Sequence, residues 1–174
     1  MSPPGRPKGE FRKAQPEGTP VNPAAPVAPV PRYVDPLSDT ARWLGHLGLV
    51  PFGLGALLVW VVNAEAHPYA TLALSAYAGV IVSFLGGIHW GLGFRMTAPP
   101  ATLFIWGVVP SLVAWLALMM PASAGLVVHG VMLLVCYAVD RRVYPMHGAA
   151  QWLTLRFRLS TVASFCCFLG AAGT

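Results

Sequence analysis

Two histidines and a cluster of one aspartate with four arginines are the residues whose types and spacing could do chemistry. His89 lies six residues before Arg95, and His46 lies four residues after Arg42. On helices rising about 1.5 Å per residue, those offsets correspond to about 9 Å and about 6 Å from the nearest charge. Two histidines at similar depth on neighbouring antiparallel helices could ligate a haem iron or a metal, or bind a quinone head group. The competing reading, which we prefer, is that each lies near the interface and hydrogen-bonds a carbonyl or a lipid phosphate. The cluster is Asp140, Arg141, Arg142, Arg156 and Arg158. It could set topology and snorkel, or it could form a site for an anionic lipid head group or an acidic loop of a partner. His129, eleven residues before Asp140, falls near mid-membrane with no acidic partner at its depth, so a proton relay is not expected.

Composition says what must hold these residues. The chain is 56% hydrophobic and only 10% charged, against about 25% charged residues in a soluble domain. That identifies an integral membrane protein. Its net charge of +5 therefore speaks to topology and not to nucleic acid. The cysteines, Cys136, Cys166 and Cys167, fall inside apolar runs without zinc spacing and read as small packing hydrophobes.

Residues 1–38 are a different material, basic and rich in proline, with Pro20, Pro23, Pro26 and Pro29 at every third position. That spacing would line one face of a polyproline II segment, but the composition reads chiefly as a disordered tail. No apolar stretch follows the early positive charges, so a secretory signal is not expected. Glu10, Glu17 and the prolines also argue against a mitochondrial transit peptide.

Residues 39–174 hold five apolar segments, about Arg42 to Asn63, Tyr69 to Phe94, Ala101 to Met120, Ala124 to Val139, and Leu155 to Ala172. Backbone groups in lipid must be satisfied within the segment, so the fold class is all-α, a bundle of five transmembrane helices. Pro68, Pro99, Pro100, Pro121 and Pro145 fall in the intervening loops. Pro51 and Pro110 fall within the first and third helices and should kink them. With five spans, every Lys and Arg of the chain lies on one side, together with the N-terminus. The positive-inside rule then puts the N-terminus inside and the C-terminus outside a bacterial cytoplasmic membrane, the mitochondrial inner membrane being the less favoured setting.

The second span carries a row of small residues, Ser75, Gly79, Ser83, Gly87 and Gly91, one every four positions. Such a row lets another backbone approach closely. It makes this helix the hub of the bundle or, as the sharper alternative, the seam of a homodimer. Gly86, His89 and Trp90, with His46, are the candidate contacts for a ligand or partner. No carboxylate pair at depth, no nucleophile with its base, no metal box and no phosphate loop is present, so no catalysis, cofactor or metal is expected.

The stretch from Tyr77 to Gly91, reading Tyr-Ala-Gly-Val-Ile-Val-Ser-Phe-Leu-Gly-Gly-Ile-His-Trp-Gly, resembles the signature of the membrane family known as domain of unknown function 3429, which includes mitochondrial transmembrane protein 69. Leu44-Gly45 to Pro51-Phe52, Trp106 to Trp115, Asp140-Arg141 and Leu153 to Arg156 are similar to its weaker blocks. The resemblance covers Leu44 to the end of the chain. It implies five helices, no assigned activity and an apolar residue at the position of His46. It leaves Gly86, Gly87, His89, Trp90 and Gly91 as the family-like set. Residues and resemblance together lead to an accessory or assembly factor that packs against a larger membrane complex. The alternative is a binder or carrier of haem, quinone or lipid between kinked helices.

Overall fold

The computed structural model describes residues 38–174, and these are helical throughout, without strands. The proline-rich basic segment read as a disordered tail, residues 1–37, lies outside the described residues. The elements are α1 (Asp39–Leu47), α2 (Val50–Val61), α3 (His67–Phe94), α4 (Ala101–Leu118), α5 (Ala122–Met146), a 3-10 turn (Ala150–Trp152) and α6 (Leu153–Ala172). With α1 and α2 taken together, five helices are long and apolar enough to cross a membrane. The large exposed side chains, among them Trp43, Leu54, Phe84, Ile105, Trp115 and Phe165, are those a helix turned toward lipid presents.

The two intrahelical prolines act differently. Pro110 stays inside a continuous α4 and is buried. Pro51 sits in the first turn of α2, where its missing N–H leaves no helical bond unmade. The first span therefore does not bend at Pro51 but breaks before it, at Gly48 and Leu49, into α1 and α2. The fourth span differs from expectation at its far end. It runs past Val139 to Met146, with Pro145 inside its last turn rather than in a loop. This brings Asp140 into the body of a helix. Pro68 likewise opens α3 as a first-turn residue.

Helix α3 is central. It packs on α2, α4, α5 and α6, and its buried positions include Leu74, Ala78, Val82, Leu85 and His89. The small residues at its contacts are not the row read from the sequence. Gly79, Gly86 and Gly93 are buried, whereas Gly87 and Gly91 are exposed with open space beside them. A row of every fourth residue advances about 40° per step and drifts round the helix, while a seven-residue interval drifts only about 20°. The first row thus leaves the interface before it reaches Gly87. The second stays in it.

At Gly86 a Cβ would press into the carbonyl oxygen of Gly107, so α3 and α4 meet backbone to backbone. Gly125 of α5 stands in the same relation to the carbonyl of Ala117. Ser164 of α6 donates to the Gly130 carbonyl at 2.9 Å, joining α5 to α6.

Candidate functional site

Three helices bring charged and polar side chains to one buried point. Asp140 of α5 is 1% exposed and Arg156 of α6 is 8% exposed. The Arg156 Nε donates to Asp140 Oδ2 at 2.9 Å, and a second guanidinium nitrogen donates to the same oxygen. An isolated carboxylate in an apolar bundle would be very costly, and the guanidinium offsets that cost. The other carboxylate oxygen, Oδ1, has no hydrogen-bond partner and faces His89 Nε2 of α3 at 3.5 Å. His89 is itself 1% exposed, and neither ring nitrogen has a hydrogen-bond partner. Trp106 of α4 and Tyr144 of α5 flank the imidazole, with ring centroids 6.4 and 6.3 Å away. Tyr144 follows Asp140 by four residues, which places the two on one helix face.

Arg156 also belongs to a second feature. A cavity of about 580 Å³ lies beside α3, bounded by α1, α2, α5 and α6. Its walls are mainly apolar, including Phe52, Leu85 and Leu133, and its polar lining comprises Arg95, Tyr144, Arg156 and Ser160. Ser160 is 3% exposed and its hydroxyl has no hydrogen-bond partner. The break at Gly48 and Leu49 accounts for the space. Helix α2 packs on both α3 and α6, whereas α1 packs mainly on α6.

The sequence-predicted residues divide accordingly. His89 joins Asp140 and Arg156, but His46 does not come to it. His46 is exposed, with its Nδ1 2.7 Å from the carbonyl of Arg42 one turn earlier. The histidine pair is therefore not assembled, and His89 finds a carboxylate where a carbonyl or lipid phosphate was expected. The charge cluster separates too. Asp140 and Arg156 are buried, while Arg141, Arg142 and Arg158 are exposed. Trp90 donates to the Phe104 carbonyl at 3.1 Å and covers Gly107, which places it in the α3–α4 seam. Ser75 and Gly79 pack near His129, whose ring nitrogens lie 3.5 Å from Ser75 Oγ and 3.4 Å from the Ala114 carbonyl. Ser83 is half-buried.

Sequence reasoning did not single out Tyr144, Trp106 or Ser160. One signal was present. Asp140 is the sole carboxylate after Glu65, and a lone acid among apolar helices requires a cation close by. Ser160, four residues after Arg156, then shares its helix face. Among the described residues, no group of three or more His, Cys, Asp or Glu is placed to hold a metal ion.

The family follows from comparison with known sequences. The model of the family described as protein of unknown function DUF3429 matches residues 37–172. The chain belongs to the DUF3429 family. This DUF3429 member is also similar to transmembrane protein 69 of Xenopus tropicalis, at 35% identity over 133 residues, which cover 72% of the chain and 51% of that protein. The chain thus spans about half the length of the curated relative it matches. No solved structure matches it. The family match encloses the whole charged site and the cavity walls.

Proposed function

We propose that this DUF3429 protein is a non-catalytic multi-pass protein of a bacterial cytoplasmic membrane that holds a small hydrophobic ligand beside α3. The observation that carries this reading is the 580 Å³ cavity, apolar along its length and polar at the Arg156 end. Its volume falls within the roughly 300–1,000 Å³ of small-molecule sites. The distribution of Lys and Arg supports an inside N-terminus and an outside C-terminus. The direct test is purification in mild detergent followed by extraction and mass spectrometry. About one lipophilic molecule per chain is expected, and a ligand-free protein would overturn the reading. For topology, a reporter active only in the periplasm, fused after Thr174, should be active. An inactive fusion would sink the orientation.

A second reading, an accessory or assembly factor for a larger membrane complex, is favoured by Gly87 and Gly91. Both open outward with nothing within 4 Å of an added Cβ, as a surface for close helix approach requires. The same purification tests it. A larger complex co-isolated in fixed ratio and lost on Gly87→Leu would support this role, and a protein isolated alone would count against it.

A further inference from the structure

We infer that the cavity beside α3 is a site for one anionic glycerophospholipid, held by its phosphate at Arg156 and Arg95 with one acyl chain inside; this rests on the ligand-binding reading above. Four observations carry it. First, the wall has two cationic side chains, Arg95 and Arg156, and no carboxylate. Asp140 engages only the Nε and Nη2 of Arg156, so the carboxylate leaves Nη1 uncommitted. Second, Ser160 lines the same wall, almost wholly buried, with an unpartnered hydroxyl. An unsatisfied buried hydroxyl is unfavourable, and a ligand oxygen would relieve it. It lies one turn of α6 beyond Arg156, about 6 Å further from the arginines. In a glycerophospholipid the ester oxygens stand in that relation to the phosphate, between it and the chains.

Third, beyond Ser160 the wall turns apolar at Phe52, Leu133 and Ala163, matching an acyl chain. Fourth, Leu44 and Phe84 line the cavity and are also exposed on the outer surface. The space therefore opens sideways between α1 and α3, toward the bilayer. A lipid can enter there without leaving the membrane, and its second chain can stay outside against those two side chains. Haem fits poorly, because neither His46 nor His89 is on the cavity wall.

The test is native mass spectrometry of the full-length protein, exposed to equal amounts of phosphatidylglycerol and phosphatidylcholine. Wild-type protein should retain the anionic lipid by roughly tenfold over the zwitterionic one, as one to two arginines would provide. Arg95→Gln should lower that preference about fivefold. Ser160→Leu, which removes the unpartnered hydroxyl and narrows the cavity beside it, should lower retention about fivefold, and Ile88→Trp, also on the cavity wall, provides a second block should the first fail to fold. Arg141→Gln with Arg142→Gln, both outside the cavity, should change nothing.

Equal retention of the two lipids, or a preference that survives both blocking substitutions, overturns the inference. If a neutral quinone or a free fatty acid occupies the protein and the blocks displace it, this inference fails while the ligand-binding reading stands. If no lipophilic molecule is held and the blocks alter nothing, both fail.

Discussion

The two flanks of α3 are built on opposite principles. Toward α4, Gly86 and Gly107 let the backbones touch, Pro110 fills the adjoining space, and Trp90 covers the crossing. Toward the first span, contact is good only along α2, where Phe52 meets Tyr77 edge-on at 5.0 Å between centroids. Around the break at Gly48 the partner turns away and the cavity opens, reaching as far along α2 as Phe52. At the opposite end of the bundle the same helices are tied shut. His67 Nε2 lies 2.9 Å from the Gly173 carbonyl, and Trp60 donates to the Leu169 carbonyl at 3.1 Å. One flank is closed by removing side chains. The other is opened by interrupting a helix. An apolar bundle can thus hold a rigid seam and a space for a ligand on the same helix, because only one of the two neighbours is continuous.

The buried ion pair lies where these flanks converge, and breaking it should have the largest effect. Arg156→Leu leaves Asp140 buried without its cation and is expected to cost about 3–5 kcal/mol of stability. Replacing both residues, Asp140→Leu with Arg156→Leu, removes the uncompensated charge and should recover most of that loss. Unfolding midpoints in detergent read the difference directly. A double variant as unstable as the single would show that the stranded carboxylate is not the source of the loss.

The closed flank offers a sharper contrast between adjacent glycines. At Gly86→Ala the new methyl meets the Gly107 carbonyl, and such overpacking costs about 1–3 kcal/mol. At Gly87→Ala it meets nothing within 4 Å, and the better helix propensity of alanine should make the change neutral or stabilising by up to about 1 kcal/mol. Similar melting temperatures for the two variants would remove the case for a backbone-to-backbone seam.

The contrast between these glycines also shows how far the sequence could be read. Five helices were legible because lipid leaves the backbone no alternative; Pro99, Pro100 and Pro121 marked two of the loops, whereas Pro68 and Pro145 fell inside helices. The working face of α3 was not. Ser75, Gly79, Ser83, Gly87 and Gly91 and the set Gly79, Gly86 and Gly93 are both rows of small residues. Only the crossing with α4 selects the second. The fate of Asp140 was hidden for a related reason. A carboxylate beside Arg141 and Arg142 reads as interfacial, and nothing local shows that α5 continues past it for almost two turns. Once that extension is known, its burial and its pairing across to α6 follow. The histidine pair failed because spacing along a helix does not fix rotation: His46 faces outward and bonds its own helix, while His89 faces Asp140.

The smallest effects separate the flanks most finely. Trp90→Phe and Tyr77→Phe each delete one hydrogen bond from a side chain to a carbonyl, Trp90 to Phe104 and Tyr77 to Gly48, the latter at 2.9 Å. Each should cost about 1 kcal/mol. The consequences should differ in place. Phe104 lies in the first turn of a continuous helix, so losing Trp90 should weaken the seam without changing the cavity. Gly48 lies at the break between α1 and α2, and Tyr77 ties that break to α3. Tyr77→Phe should therefore speed amide hydrogen exchange at Gly48 and Leu49 and weaken retention of any bound lipophile, while Trp90→Phe leaves both unchanged. If the two variants altered exchange at the break equally, the flanks would be one cooperative unit, and the division between a closed side and an open side of α3 would have to be abandoned.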